Sequence, residues 1–499
     1  MTSHTDTRSV RFLTPARPQK TIPSVFLSFF GSVCIALLFS ASSSQFNHWF
    51  IIPVTLCGIV IGTDAVDWLR GRLNLFDPVG VVGLFGLHLF FLAPLLHVAW
   101  DHQLLYLPAL EEWRPWLGYM ALLNFVGLLF YRLSRNVLKP RTTKRNLWLV
   151  NQKAIFAVLL VALGLTAALQ ILVYARFGGI AGYINTFEES VSGDNPGFAG
   201  LGTLFAVAES FPLLLMIAYA LVARERPRWR SWGVIIAVLA IFFVTRIFFG
   251  GFRGSRSNTI FAMIWAVGVI HLIIRPVPRR FIFVGLILAL VFMYLFGFYK
   301  NVGLDAFQIL QDPSVAVKLE QTTNRTFQAT LLSDLARTDI QAYVLQLLSR
   351  PYGDYQYPYG VSYLGGLLTP IPDSLVPPEI PTKVDLGTQA LYGLQVYRSG
   401  SQRSSRNFGL AGEALLNFGP LAIPFSFIGF GFVVSVIRRW LLSWAPEDSR
   451  RLLLPLFILC CLVILINDSD NVSIFLLKQG LVPFVVVWLG SHRTVKRTP

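Results

Sequence analysis

The chain has 499 residues, 54% of them hydrophobic and only 14% charged, and its mean hydropathy of +0.59 leaves too little polar surface for a water-soluble fold. The formal net charge is +16, yet the basic residues are dispersed and no DNA- or RNA-binding motif occurs, so nucleic acid is excluded as the expected partner. What remains is an all-α polytopic membrane protein that lives in the lipid bilayer.

Four cations, Arg8, Arg11, Arg17 and Lys20, precede the first apolar run, and no small-residue cleavage site follows it, so the first span is expected to be retained. A helix needs about 17 to 25 apolar residues to cross the hydrocarbon. Twelve such spans are expected, near 24–42, 49–63, 78–99, 115–131, 154–175, 199–222, 232–249, 258–274, 281–298, 410–437, 452–466 and 473–490. Segments 1–22, 64–76, 132–153, 223–231, 275–280, 438–451 and 491–499 together hold 27 basic residues. The short connectors 43–48, 100–114, 176–198, 250–257 and 467–472 hold four. That asymmetry places both termini in the cytoplasm and the second set of connectors outside.

All four cysteines fall in expected spans and the histidines lack zinc spacing, so neither a disulfide framework nor a metal site is expected. His97 and His102 share an outer connector and read either as an acid–base pair or as structural histidines. Glu209 is a buried acid in the sixth span.

The seventh span ends in VTRIFFGGFRGSRSNTI. Spacings of seven and three bring Arg246, Arg253 and Arg256 to one face if the helix continues. A guanidinium near bilayer depth is costly without an anionic partner or a wet cavity. Arginine forks match phosphate oxygens, which points to a lipid-linked diphosphate at the outer leaflet. The alternative is ordinary loop charge at the lipid surface. The connector GGFRGSRS is short enough to sit within the membrane.

A hydrophilic excursion, 299–409, is expected outside, dividing a nine-span part (1–298) from a three-span part (410–499). It holds nine basic and nine acidic residues and nine of the sixteen tyrosines. Residues 317–349 have helical spacing, with Leu331, Leu335, Tyr343 and Leu347 as the apolar stripe and Arg337 and Asp339 among its polar positions. Tyr352, Tyr355, Tyr357 and Tyr359 follow in PYGDYQYPYG, suited either to sugar rings or to packing the loop onto the spans. Prolines in PIPDSLVPPEIPTK forbid long regular elements.

Arg403 and Arg406 precede the tenth span, where Glu413 and Asn417 are one turn apart; Asp468 and Asp470 occupy the last outer connector, and Lys478 lies deeper. Either Glu209 or Glu413 pairs with Lys478 to reduce the cost of burial, or a carboxylate among Glu413, Asp468, Asp470 and Asp339 serves as general base toward a sugar hydroxyl, with Tyr352 in reserve.

The sequences FRGSRSNTI, ARTDIQAYVLQLLSRPYG, YGVSYLGGLLTPIPDSLVPP and GEALLNFGPLAIPF together resemble bacterial oligosaccharide repeat-unit polymerases of the Wzy type, over roughly 170–490. The resemblance implies a GT-C-like membrane fold. It also implies polymerisation of undecaprenyl-diphosphate-linked oligosaccharides at the outer face of the bacterial inner membrane, without metal or cofactor. A chain-length regulator and a flippase are the implied partners. Arg253 and Arg256 would engage the diphosphate, with Arg246, Arg337, Arg403 and Arg406 as further matches; Tyr352, Tyr355, Tyr357, Tyr359 and Asn417 face the glycan in this reading. Related ligases use an outer-loop histidine, and 299–409 contains none. An O-antigen ligase and a lipid-linked oligosaccharide flippase or transporter stay open as alternatives. A metal-dependent mannosyltransferase would carry acids in its first outer loop, which reads SSQFNH; nucleotide-binding glycine loops and internal repeats are absent.

Overall fold

The computed structural model describes residues 22–494 except 104–106, 110–111, 140–146, 193–197, 199, 254, 311, 313, 324, 350–354, 372–374, 378–379 and 400–405. Among the described residues the chain is almost wholly helical, and ten helices are long and apolar enough to cross a membrane. They are α1 Ser24–Ser42, α2 Ile51–Leu69, α3 Pro78–Ala99, α4 Arg114–Ser134, α5 Gln152–Arg176, α7 Gly202–Glu225, α9 Arg256–Ile274, α10 Arg279–Lys300, α16 Ala422–Ser443 and α18 Ser469–Leu489. The other two expected spans form shorter apolar helices, α8 Trp232–Phe248 and α17 Leu454–Ile466. At 13 residues α17 is about 20 Å long, less than the hydrocarbon thickness.

Lipid-facing and buried helices follow different rules. α1 buries only Ser24, Ser28, Ser32 and Ala36, a small-residue stripe that lets its backbone approach α2. Ser28 donates to the carbonyl oxygens of Gly58 at 3.2 Å and Ile59 at 2.9 Å, so a side chain at Gly58 or Gly62 would collide with this stripe. Leu160, Val161 and Ile171 on α5 and Ile287 and Leu288 on α10 are exposed, as a lipid-facing surface requires. α17, by contrast, is apolar all round and buried among α3, α9 and α16, with Pro455 against Gly268.

The connectors collect at two opposite ends. At one end β1 (Leu147–Val150) pairs antiparallel with β2 (Ser491–Thr494), Ser491 donates to Ser449 at 2.8 Å, and Arg438 donates to Asp77 at 3.1 Å. Asp64 takes both arms of Arg135 in a buried pair on that side. At the other end smaller helices cap the spans: α6 Gly179–Ser192, α11 Ser314–Thr323, α12 Thr338–Leu348, α13 Val361–Leu368, α14 Lys383–Tyr392 and α15 Gly409–Phe418. α12 lies on α4 and the end of α3, where Ala342 joins Phe46, Phe50 and Trp113 in one core.

Two boundary expectations are corrected. The tenth span does not begin at 410: Gly419, at φ +87°, and Pro420 break the helix, so α15 is a separate helix and the span starts at Ala422. The 317–349 helix is three pieces, and its large buried apolar residues are Leu332, Ile340, Tyr343, Val344 and Leu345; Leu331, Leu335 and Leu347 of a continuous stripe are only half-buried. As the two separate spans expected there require, the helix carrying Arg246 stops at Phe248 and the next starts at Arg256, with Gly250 at φ +138° in between.

Candidate functional site

That break decides where the three arginines go. Arg246 and Arg253 both reach Glu209, which is 1% exposed; Arg246 Nη2 lies 3.1 Å from its Oε2, Nη1 donates to its backbone oxygen at 2.9 Å, and Arg253 pairs with Oε1. The Arg253 guanidinium also lies 3.9 Å over the ring of Phe205. Arg256 turns away and clasps Asp334 through two bonds of 2.6 and 3.1 Å. The expected single face is therefore replaced by two groups, because the seven-residue spacing holds only within an unbroken helix.

Asp334 gathers further charge. Arg325 lies 3.4 Å from its Oδ1, and Lys300, at the end of α10, is close enough to feel Arg325, Arg256 and Asp334. Two arginines thus share one carboxylate, with exposed Lys300 in its field. Ser333, the preceding residue, contacts Nε2 of His102 at 3.2 Å, and His97 Nδ1 lies 2.7 Å from the His102 carbonyl oxygen. His88 Nε2 lies 3.0 Å from the carbonyl oxygen of Leu331. Segment 299–409 has no histidine of its own, but the fold brings His88 and His102 onto it, with His97 behind His102.

Burial, and next to it the charge of His97, push the His102 imidazole below its ordinary range, while Asp339 opposes the shift. His102 is therefore neutral at pH 7. Asp339 is buried on α12, its Oδ1 accepting from the Ile340 amide at 2.7 Å and its Oδ2 without a hydrogen-bond partner.

The second polar centre is a closed knot. Asp468 is fully buried and accepts from Lys383 Nζ at 3.0 Å, from the Phe408 amide at 3.0 Å and from the Gly409 amide at 2.8 Å. Lys383 spends its other donors on Asn407 Oδ1 at 2.8 Å and the Arg406 carbonyl oxygen at 3.1 Å, and Asp470 is 4.0 Å away. Glu413 takes the Ser469 amide at 2.7 Å and the Ser469 hydroxyl. Burial first, then the charge of Asp468, push the Glu413 carboxyl up to about 8. Asn417 exchanges hydrogen bonds with Ser362 and donates to the Glu413 carbonyl oxygen at 2.9 Å.

The expected pairing of Lys478 with Glu209 or Glu413 does not form. Glu209 is taken by arginines and Glu413 by Ser469 because α18 starts at Ser469, which brings that residue to α15. Arg337 is half-buried and its fork is consumed by the carbonyl oxygens of Ile466 at 3.0 Å, Ser333 at 3.1 Å and Asp334 at 3.0 Å. Tyr355 donates to the Leu416 carbonyl oxygen at 2.6 Å, Tyr357 packs under Gly419, and Tyr359 is 78% exposed, its amide donating to the Asn417 carbonyl oxygen at 3.1 Å. Two of these tyrosines thus fasten the loop to α15. Tyr352 and Arg403 lie outside the described residues.

Four groups at this end carried no assignment in the sequence: Lys300, Arg325, Ser333 and Asp334. Lys383 also went unread, since a lone lysine after a proline run has no local signature. The shared outer position of His97 and His102 was the one available signal for the histidine group. Compared with family models, curated proteins and solved structures, the chain matches none.

Proposed function

We propose that the chain joins oligosaccharide units carried on a polyprenyl diphosphate, acting at the outer face of a bacterial inner membrane with both termini in the cytoplasm. The observation that carries this reading is the group around Asp334. Arg256, Arg325 and Lys300 supply more positive charge than one carboxylate neutralises, and a neutral histidine stands beside it. Such a surplus stabilises a departing diphosphate as its charge develops.

In the reaction, the acceptor hydroxyl oxygen bonds to the anomeric carbon of the donor glycan. The bond from that carbon to the diphosphate oxygen breaks, and its electron pair leaves with the diphosphate. The hydroxyl proton passes to His102 Nε2, and Asp339 stabilises the imidazolium. An apolar cleft of about 380 Å³ between α17 and α18, lined by Leu456, Phe457, Leu477, Gly480 and Phe484, has the character an isoprenoid chain needs.

We read α8 and α17 as crossings too, for twelve in all. α8 runs from the Arg230 end to the Glu209 end, and α17 from Ser449 to Asp468, so each joins the two faces of the bundle.

The test supplies purified protein in lipid with a lipid-linked repeat unit alone and reads products on a gel. A ladder with a step of one unit is expected. Arg256→Ala should lose about 10²- to 10³-fold in rate and His102→Gln about 10²- to 10⁴-fold. The rate should fall on acidification only below the ordinary histidine range. Unchanged substrate would favour transport, product only with an added lipid-core acceptor would favour a ligase, and full rate in both variants would overturn the site.

A further inference from the structure

The turn at Gly250 separates two cation groups, and the group on Glu209 has no part in the chemistry just described. Arg246 and Arg253 face one carboxylate there, and a third cation joins them. α18 contains a π-helical turn, Leu477–Leu481, and the backbone oxygen of Lys478 in it accepts from Ser210 at 3.2 Å, next to Glu209. Lys478 feels the charge of Arg253 and Arg246. Its Nζ makes no hydrogen bond or ion pair among the described residues. Nε of Arg246 and Nε of Arg253 are buried without partners as well.

Three cations against one carboxylate leave two positive charges: Arg246 and Glu209 are each 1% exposed and Arg253 is 15% exposed, while Lys478 is half-buried. A half-buried ammonium without a partner is costly, and among the described residues the neighbouring groups supply no second acid. The side chains around Arg253 are Phe205, Tyr174 and Tyr183, which are neutral. The missing partner is an anion of charge about −2 with several acceptor oxygens, the description of a diphosphate diester.

We propose that Arg246, Arg253 and Lys478 form a second diphosphate site, distinct from the Arg256 site across the turn, that holds a lipid diphosphate other than the one being cleaved. This rests on the polymerase reading, in which two lipid diphosphates meet: the donor's is released and the acceptor's stays attached to the growing chain. His102 stands beside Arg256, so the cleaved diphosphate belongs to that site. The uncleaved one falls to the Glu209 side. The apolar cleft lies on α18, the helix that carries Lys478, so a lipid tail and its head group can use one helix.

The test counts ligands. Purified full-length protein in nanodiscs is titrated with farnesyl diphosphate by calorimetry, and with inorganic diphosphate in parallel to separate a head-group site from one that needs the lipid tail. Two bound diphosphates per chain are expected. Lys478→Met should weaken one site by roughly tenfold or more while leaving the other intact, and Arg256→Gln should do the converse. Lys478→Met should also melt no lower than the parent without ligand, because it removes a half-buried charge that has no partner among the described residues; Lys478→Arg should retain two sites. One site in the parent, or two unchanged sites in Lys478→Met, would overturn the proposal. Two sites in a protein that forms no glycosidic bond would sink the polymerase reading and, with it, the division into cleaved and uncleaved lipid, but leave the second diphosphate site standing.

Discussion

Asp468 shows how one residue can hold several outer elements together. It joins α14, through Lys383, to the start of α15, through the Phe408 and Gly409 amides, and it stands at the head of α18. Asp468→Asn keeps an oxygen for the amides but leaves Lys383 buried beside a neutral group. That should cost about 3 kcal/mol or more, as breaking a buried pair does. Lys383→Met combined with Asp468→Asn should cost about 1 to 2 kcal/mol less than the sum of the single variants. Equilibrium unfolding in micelles measures the cycle, and additive losses would mean that the two groups do not interact. Glu413 lies in the same knot and makes a prediction about pH. Its carboxyl titrates near 8 when folded and in the ordinary carboxyl range when unfolded. Between those values the folded protein holds a proton that the unfolded chain has released, so stability from this group falls as pH rises through that window. Glu413→Gln should flatten the decline of Tm between pH 5 and pH 9. Parallel curves for parent and variant would show that another group sets the slope.

Helix breaks decide where the charges point. Gly250 sits at φ +138°, and a Cβ there would lie 2.7 Å from the Glu209 carboxyl carbon. Gly250→Ala should therefore cost about 1 to 3 kcal/mol in backbone strain and push Glu209 off its arginines. Gly164→Ala, on lipid-facing α5 with open space around it, should leave Tm unchanged or higher. If both variants melt like the parent, the turn does not position the cluster. The helices themselves were legible from apolar run length, which is why eleven segments start within about four residues of expectation. The exception, 410–437, shows what length misses. Its apolar count continues through Gly419 and Pro420, whereas the backbone does not. Four π-helical turns occur among the described residues, and three carry polar residues of the two sites: His88, Ser333 with Asp334, and Lys478. Such turns leave no mark in hydropathy.

At the scale of the whole molecule, topology depends on the shorter helices. β1 and β2 pair, so the segment before α5 and the end of the chain share one face. If α8 crosses, five helices separate β1 from α11, which puts α11 on the opposite face; without α8 there are four, and α11 joins β1. Gln321→Cys on α11 and His492→Cys on β2, each with Cys34→Ser, separate these cases. Position 321 should react with an impermeant maleimide on intact spheroplasts, and 492 only after permeabilisation. Labelling of both from the same side would remove α8 as a crossing.

The sequence by itself determined the solvent of this protein, the number of its apolar segments and the expected sidedness of its loops, because those follow from how much apolar length and how much charge each stretch carries. It also singled out the arginines around 250 as charges in need of an anion. Only the tertiary structure decided their partners. Arg253 and Arg256 are three residues apart yet answer to Glu209 and Asp334, which lie more than 40 residues from them in opposite directions along the chain. His102 reaches Ser333 across 231 positions and Lys383 reaches Asp468 across 85. Local composition fixes what must be buried or hydrated; which ionised groups neutralise one another depends on helices packing together, and that is a property of distances no local window contains.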